Sequence, residues 1–230
     1  MGLTLSVWLC GTTADKKPPS SSAFLTAAVP TSSRLAVMLN SSPVVPDNRR
    51  SHWSASHCST HFLPLATKQE VTREPVEQSS DGVRAEMGVK RGLHLWEMRW
   101  DPAHRGSHAV IAITTENCLL QASGYSMLSG TDAQSWGWEL STNQLWHGGL
   151  ILGKYPGERG LRRQGHFFPV PETVLVVLDA DAGTLGYIVS GCFLGVAFRD
   201  LPGGVELFLA VSSVRGGSTI QLRYLNGASR

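Results

Sequence analysis

The run Leu93-His94-Leu95-Trp96-Glu97-Met98-Arg99-Trp100 reads as a strand, because alternation sends His94, Trp96, Met98 and Trp100 to one face and Leu93, Leu95, Glu97 and Arg99 to the other. The first face needs a second layer to cover it. His108-Ala109-Val110-Ile111-Ala112-Ile113 is a continuous apolar run ending in Thr114-Thr115, the pattern of a strand buried in a sandwich. The apolar runs at 175–178 and 184–189 flank the turn cluster Asp179-Ala180-Asp181-Ala182-Gly183 and predict a hairpin. Ser190-Gly191 then turns the chain into a third strand at 192–198. Runs at 207–211 and 219–225, with Gly216-Gly217 between them, continue the series. Short strands with Gly, Asp and Ser punctuation and little helical period predict an all-β antiparallel sandwich, from about residue 68 to 227. Trp96, Trp100, Trp136 and Trp138 are expected in its core rather than as a stacking platform, since the chain lacks an accompanying cationic groove.

A chain of 230 residues, 42% hydrophobic, suits one globular domain plus a tail. Its formal net charge of +2 is too small for a nucleic-acid footprint, and pairs such as Arg49-Arg50 and Arg162-Arg163 read as solvated surface. The four cysteines are scattered without CxxC spacing, so neither a disulfide scaffold nor a zinc cage is expected and reduced thiols in a cytoplasmic setting are. The apolar stretch at 5–10 falls far short of the roughly 20 residues that span a bilayer. Met1-Gly2-Leu3-Thr4-Leu5-Ser6 satisfies the loose N-myristoylation pattern with Cys10 nearby, but one chain alone holds a membrane weakly, so no firm membrane association is expected.

Residues 1–50 form a low-complexity tail, with Pro18-Pro19-Ser20-Ser21-Ser22 as the clearest patch, and residues 51–230 the folded domain. Such a composition buries too little apolar surface to offset ordering entropy, so disorder is expected in the tail. Within it only residues 34–39 have helical potential, and those need a docking surface to stay formed.

Catalytic constellations are missing from the sequence: there is no G-x-S-x-G elbow, Walker loop, H-E-x-x-H helix or Rossmann fingerprint. No enzyme activity and no cofactor are expected. Asp179, Asp181 and Gly183 resemble the opening of a calcium loop but lack its later ligands, and a turn is the better reading. His52, His57, Cys58 and His61 have no second pair of ligands nearby to converge on a metal.

Several ordered words carry a more specific signal: Gln78-Ser79-Ser80-Asp81-Gly82, Arg91-Gly92-Leu93-His94, Arg105-Gly106-Ser107-His108-Ala109-Val110, Ser135-Trp136-Gly137-Trp138, Gly195-Val196-Ala197-Phe198-Arg199 and Arg223-Tyr224-Leu225-Asn226-Gly227. Over residues 53–226 they resemble the SPRY domain of the SPRY-domain SOCS-box proteins, substrate-binding adaptors of ubiquitin ligases. The resemblance implies a bent SPRY-type β-sandwich whose loops grip a short Asn-rich acidic peptide of the Asp-Ile-Asn-Asn-Asn kind. Carried over, the peptide-contacting positions are Arg73, Pro75, Gln78, Ser107 (where Thr is usual), Tyr125, Leu128, Gly130, Val214 and Gly216. An arginine offers several donors, a tyrosine a flat face with a hydroxyl, and glycines a close approach of backbone. The chain departs from the pattern at Glu74, Glu77, Ser129 and Arg215, where the family usually has a basic residue, Ala, an apolar residue and Trp. The two glutamates either pair with Arg73 or repel an acidic ligand.

The resemblance implies an adaptor that selects targets for ubiquitination and proteasomal degradation. The family's SOCS box, which recruits elongin and cullin, has no room before Arg230, so those partners are expected only if a box lies beyond residue 230. The alternative is a ligase-independent interaction domain competing for the same targets. A glycan binder or enzyme using the tryptophan-rich face is the remaining class.

Overall fold

The computed structural model describes residues 28–44, 48–157 and 167–228. The lipidation pattern with Cys10, the patch at 18–22 and the Arg162-Arg163 pair lie outside these residues. Fifteen strands in the described residues form two antiparallel sheets facing each other.

The first sheet takes β1 (Trp53–Cys58), β4 (Ser79–Ala85), β14 (Phe208–Ser213), β6 (Val110–Thr114), β8 (Ser135–Glu139), β9 (Gln144–His147) and β10 (Leu150–Lys154) in that order, with β7 (Gln121–Ser123) also paired to β4. The second runs β13 (Cys192–Phe198), β12 (Thr184–Val189), β11 (Thr173–Asp179), β5 (Leu93–Trp100), β15 (Thr219–Ala228), β3 (Glu70–Arg73) and β2 (Phe62–Pro64). The expected hairpin and meander are β11, β12 and β13, in which the Asp179 carboxylate accepts from the amides of Asp181 and Ala182 to close the turn. The turn at Gly216-Gly217 joins strands of different sheets, so it is a crossover between layers.

Alternation sets the core. β5 sends Trp96, Met98 and Trp100 inward, β11 adds Val174, Val176 and Leu178, and the first sheet answers with Ile111, Ile113, Trp136, Trp138, Leu209 and Val211. The four tryptophans expected inside are 0–6% exposed. Trp138 meets Tyr155 edge-on, with ring centroids 5.3 Å apart, and burial holds the Tyr155 phenol far above its usual range.

The other face of β5 is also covered. Leu93 and Leu95, with Leu175, Val177, Ile188 and Leu225, form a second apolar cluster under α1 (Ser33–Leu39), which inserts Leu35 and Met38. This is the docking surface that the helical part of the tail needs. Segment 28–44 is therefore laid against the second sheet, further held by Val29 N–H to the Phe193 carbonyl and Val44 N–H to the Leu225 carbonyl. The tail boundary at residue 50 thus includes a docked stretch, because apolar burial on α1 offsets its ordering entropy.

Candidate functional site

Strand register places four loops at one end of the first sheet. Ser79, at the start of β4, pairs with Ser123 at the end of β7; Asp81 pairs with Ser213 at the end of β14; Ser212 pairs with Val110 at the start of β6. Loops 74–78, 124–128, 214–217 and 106–109 therefore emerge side by side. They touch closely: a Cβ added to Gly216 would lie 2.2 Å from Pro75 Cα and 2.7 Å from the Glu74 carbonyl, and one on Gly106 would lie 2.8 Å from Arg215 Cβ. The Gly217 amide donates to the Arg73 carbonyl at 2.8 Å and the Gly124 amide to the Gln78 carbonyl at 2.9 Å. Ser80 Oγ accepts from the Ser126 amide and sits 2.8 Å from the Gly124 carbonyl, tying the 124–128 loop to β4.

Beneath them lies a buried polar knot. Arg73 is 0% exposed. Its Nε donates to Asp81 Oδ2 at 2.8 Å, Nη1 to the Glu74 carbonyl at 3.0 Å, and Nη2 to the carbonyls of Val76 and Ser79 at 3.1 and 2.9 Å. The other Asp81 oxygen accepts from Ser79 Oγ and Gln121 Nε2 and lies 3.0 Å from His61 Nδ1. The 74–78 loop is thus moulded around an inward-turned guanidinium. Arg105 anchors the 106–109 loop in the same manner, donating to the carbonyls of Val170, Trp100 and Pro171, and burial lowers its pKa to about 10 although the carboxylates of Asp101 and Glu172 oppose the shift.

Of the positions carried over from the resemblance, Pro75, Gln78, Ser107 and Tyr125 are exposed at the loop end, Tyr125 by 46%, and Gly216 is half-buried. Val214 is buried beneath the 214–217 loop, and Leu128 is buried against Gly82 on the outer face of β4. Arg73 is gathered with them but faces inward. Gly130 stands apart: with φ +98° it is wedged under Trp146 and donates to Ser135 Oγ, on the rung of Ser135, Thr114 and Phe208 at the other end of the sheet. Sequence reasoning missed the support beneath the loops, namely Asp81, Ser80, Gln121 and His61. Ser80 and Asp81 stand in the polar word Gln78-Ser79-Ser80-Asp81-Gly82, inside a strand every residue of which is buried, whereas Gln121 and His61 lie outside that strand and carry no such signal.

Other chemistries find little material. Among the described residues no group of three or more His, Cys, Asp or Glu side chains is arranged to hold a metal. His52 turns to Glu86, His57 to Ser54 and Ser56, and His61 to Asp81. Cys58, Cys118 and Cys192 form no disulfide among the described residues, and burial pushes the thiols of Cys58 and Cys118 up. No helix among the described residues is long and apolar enough to cross a membrane.

Residues 93–225 match the family model described as SPRY domain. SPRY domain-containing SOCS box protein 1 of Homo sapiens is 40% identical over 198 residues, spanning 84% of this chain and 71% of that protein. The chain belongs to this family. SPRY domain-containing SOCS box protein 2 of Rattus norvegicus is 40% identical over 194 residues (83% of this chain, 72% of that one), and Protein gustavus of Drosophila melanogaster 37% over 198 residues (84% and 70%). Among solved structures, the SPRY domain of human HERC1 superposes with a TM-score of 0.56 at 17% identity, covering 75% of this chain and 97% of that one. The TRIM65 PSpry domain gives 0.53 at 17% identity, covering 74% and 90%. These two establish the fold alone. The SPRY domain is a protein-binding module.

Proposed function

We propose that the protein is a substrate-recognition adaptor resembling those of cullin-type ubiquitin ligases, acting in the cytoplasm and gripping an amide-rich peptide of its target with the four loops. The observation that carries this reading is the convergence of loops 74–78, 106–109, 124–128 and 214–217, from four separate parts of the chain, at one end of the first sheet, with Tyr125 exposed on one of them. Polar side chains at Gln78 and Ser107 suit peptide and side-chain amides, and close-packed glycine at 216 leaves backbone accessible. A rigid sandwich bearing recognition loops limits the entropy lost on binding. In this role Arg73 positions the 74–78 loop rather than contacting ligand.

The test is titration of a labelled Asn-rich peptide into the full chain and its Tyr125→Ala variant. Saturable binding that weakens in the variant supports the site; binding indifferent to loops 74–78 and 124–128 removes it. Ligase delivery is tested separately by co-purification with elongin and cullin, which the proposal expects of a chain carrying a SOCS box beyond residue 230. Binding without co-purification in such a chain favours the competing, ligase-independent role.

A further inference from the structure

We propose that the loop-end site selects a peptide with a basic residue beside its amide-rich core, and that Glu74 and Glu77 are the residues that make this choice. The inference rests on the peptide-site reading above and fixes the charge of its ligand.

Arg73 is the cation nearest in sequence to both glutamates. It is fully buried and committed to Asp81 and to three loop carbonyls, so it neutralises neither Glu74 nor Glu77. Both glutamates are exposed, and neither forms an ion pair among the described residues. The opposite bank carries one exposed cation, Arg215, whose stem packs against Gly106. Although its neighbour Gly216 abuts Pro75, Arg215 makes no ion pair with either glutamate within 4.0 Å. The remaining charges nearby are satisfied locally: Asp81 by Arg73 and His61, Asp101 by His104. Two unpaired carboxylates on one bank and one unpaired guanidinium on the other make a polarised mouth. A peptide whose acidic residue lay over the 74–77 bank would meet like charge, while a lysine or arginine there would be attracted.

Anisotropy titrations of the full chain with labelled Lys-Ile-Asn-Asn-Asn and Asp-Ile-Asn-Asn-Asn peptides decide it. At low ionic strength the lysine peptide is expected to bind about three- to tenfold more tightly, the range of one or two exposed ion pairs, and high salt should shrink the difference. The preference should vanish in Glu74→Gln/Glu77→Gln, whose exposed changes leave the melting temperature unchanged, and persist in Arg215→Gln. Tighter binding of the aspartate peptide, or a lysine preference that survives in the double variant, overturns the charge assignment while leaving the peptide site standing. Binding of neither peptide overturns the site and this inference with it.

Discussion

Arg73 Nη2 stands 2.7 Å from Asp81 Oδ2, and neither side chain has any solvent exposure. The pair spans the two sheets: Arg73 ends β3 of the second, Asp81 lies in β4 of the first, and the loop between them is the first bank of the site. The same contact therefore closes the sandwich and shapes the recognition loop. A guanidinium suits this junction because its planar fork serves a carboxylate and several carbonyls at once.

Removing one partner strands the other. Arg73→Ala should lower stability by about 3–5 kcal/mol, since Asp81 would remain as an uncompensated buried charge. Urea denaturation checks this, and Asp81→Asn added to Arg73→Ala should recover part of the loss. Arg73→Lys should rescue poorly, because one ammonium cannot reach Asp81 and the three loop carbonyls together. A variant of Arg73 with wild-type stability would show that the knot is dispensable.

Tyr125 is the contrasting case. With 46% of its surface exposed, its ring contributes little to the core. Tyr125→Ala should leave the melting temperature within a degree or two, yet weaken peptide binding by about 2 kcal/mol, roughly thirtyfold. Calorimetry and a thermal melt on the same sample separate affinity from folding; equal affinities at matched folding would place the site elsewhere.

Gly216 tests loop contact directly. An added Cβ would lie 2.2 Å from Pro75 Cα, a backbone atom that cannot swing aside. Gly216→Ala should push the 214–217 and 74–78 loops apart, destabilise by about 1–3 kcal/mol and weaken the peptide more than it weakens the fold. Gly217→Ala, which meets nothing within 4 Å but occupies φ +74°, should show only the backbone penalty.

The sandwich was legible because its signal is periodic. Trp96, Met98 and Trp100 announce a buried face at any reading distance, and the turn at 179–183 needs no tertiary help. Less legible was the opposite face of β5, where Leu93 and Leu95 look like surface until α1 arrives from residues read as tail. A seven-residue helix with no acidic side chain in its first turn has little propensity of its own, so the sequence shows the helical potential of 34–39 but not the surface that holds it. At the site, resemblance identified Tyr125 and Gly216 as loop positions, but residue type says nothing about direction. The sequence allows Arg73 to face a ligand, while the buried carboxylate eight positions on turns it inward. Gly130 was likewise invisible, because its role under Trp146 depends on how the chain crosses the outer face of the first sheet.

His94 gives the fold a dependence on pH. Its Nδ1 lies 2.8 Å from the Tyr224 hydroxyl and its Nε2 2.7 Å from the Arg91 carbonyl, so the neutral ring donates through Nε2 and accepts at Nδ1. Burial holds its pKa below the usual 6.5. In the window below 6.5 the unfolded chain binds a proton that the folded one refuses, so this contribution is present above 6.5 and is lost as pH falls. Stability measured from pH 8 to 5 should decline more steeply in the wild type than in His94→Gln; parallel curves would remove His94 as the cause.

The docked helix supplies the last prediction. Leu35 and Met38 are 3% and 4% exposed, packed on Leu93, Leu95, Leu175, Val177, Ile188 and Leu225. Arg34 adds ion pairs of 3.6 and 3.5 Å to Asp179 and Asp181 and a 2.7 Å hydrogen bond to the Ala228 carbonyl, though its side chain is 28% exposed. The apolar contacts should dominate: Leu35→Ala is expected to cost about 2–3 kcal/mol and Arg34→Ala less than about 1 kcal/mol. Because α1 covers the outer face of the second sheet and the loops leave the end of the first, neither change should alter peptide affinity below the melting transition. Denaturation and binding curves for both variants check the two halves of this statement. A loss of affinity in Leu35→Ala while the protein remains folded would mean that the strap and the loop end are coupled across the core.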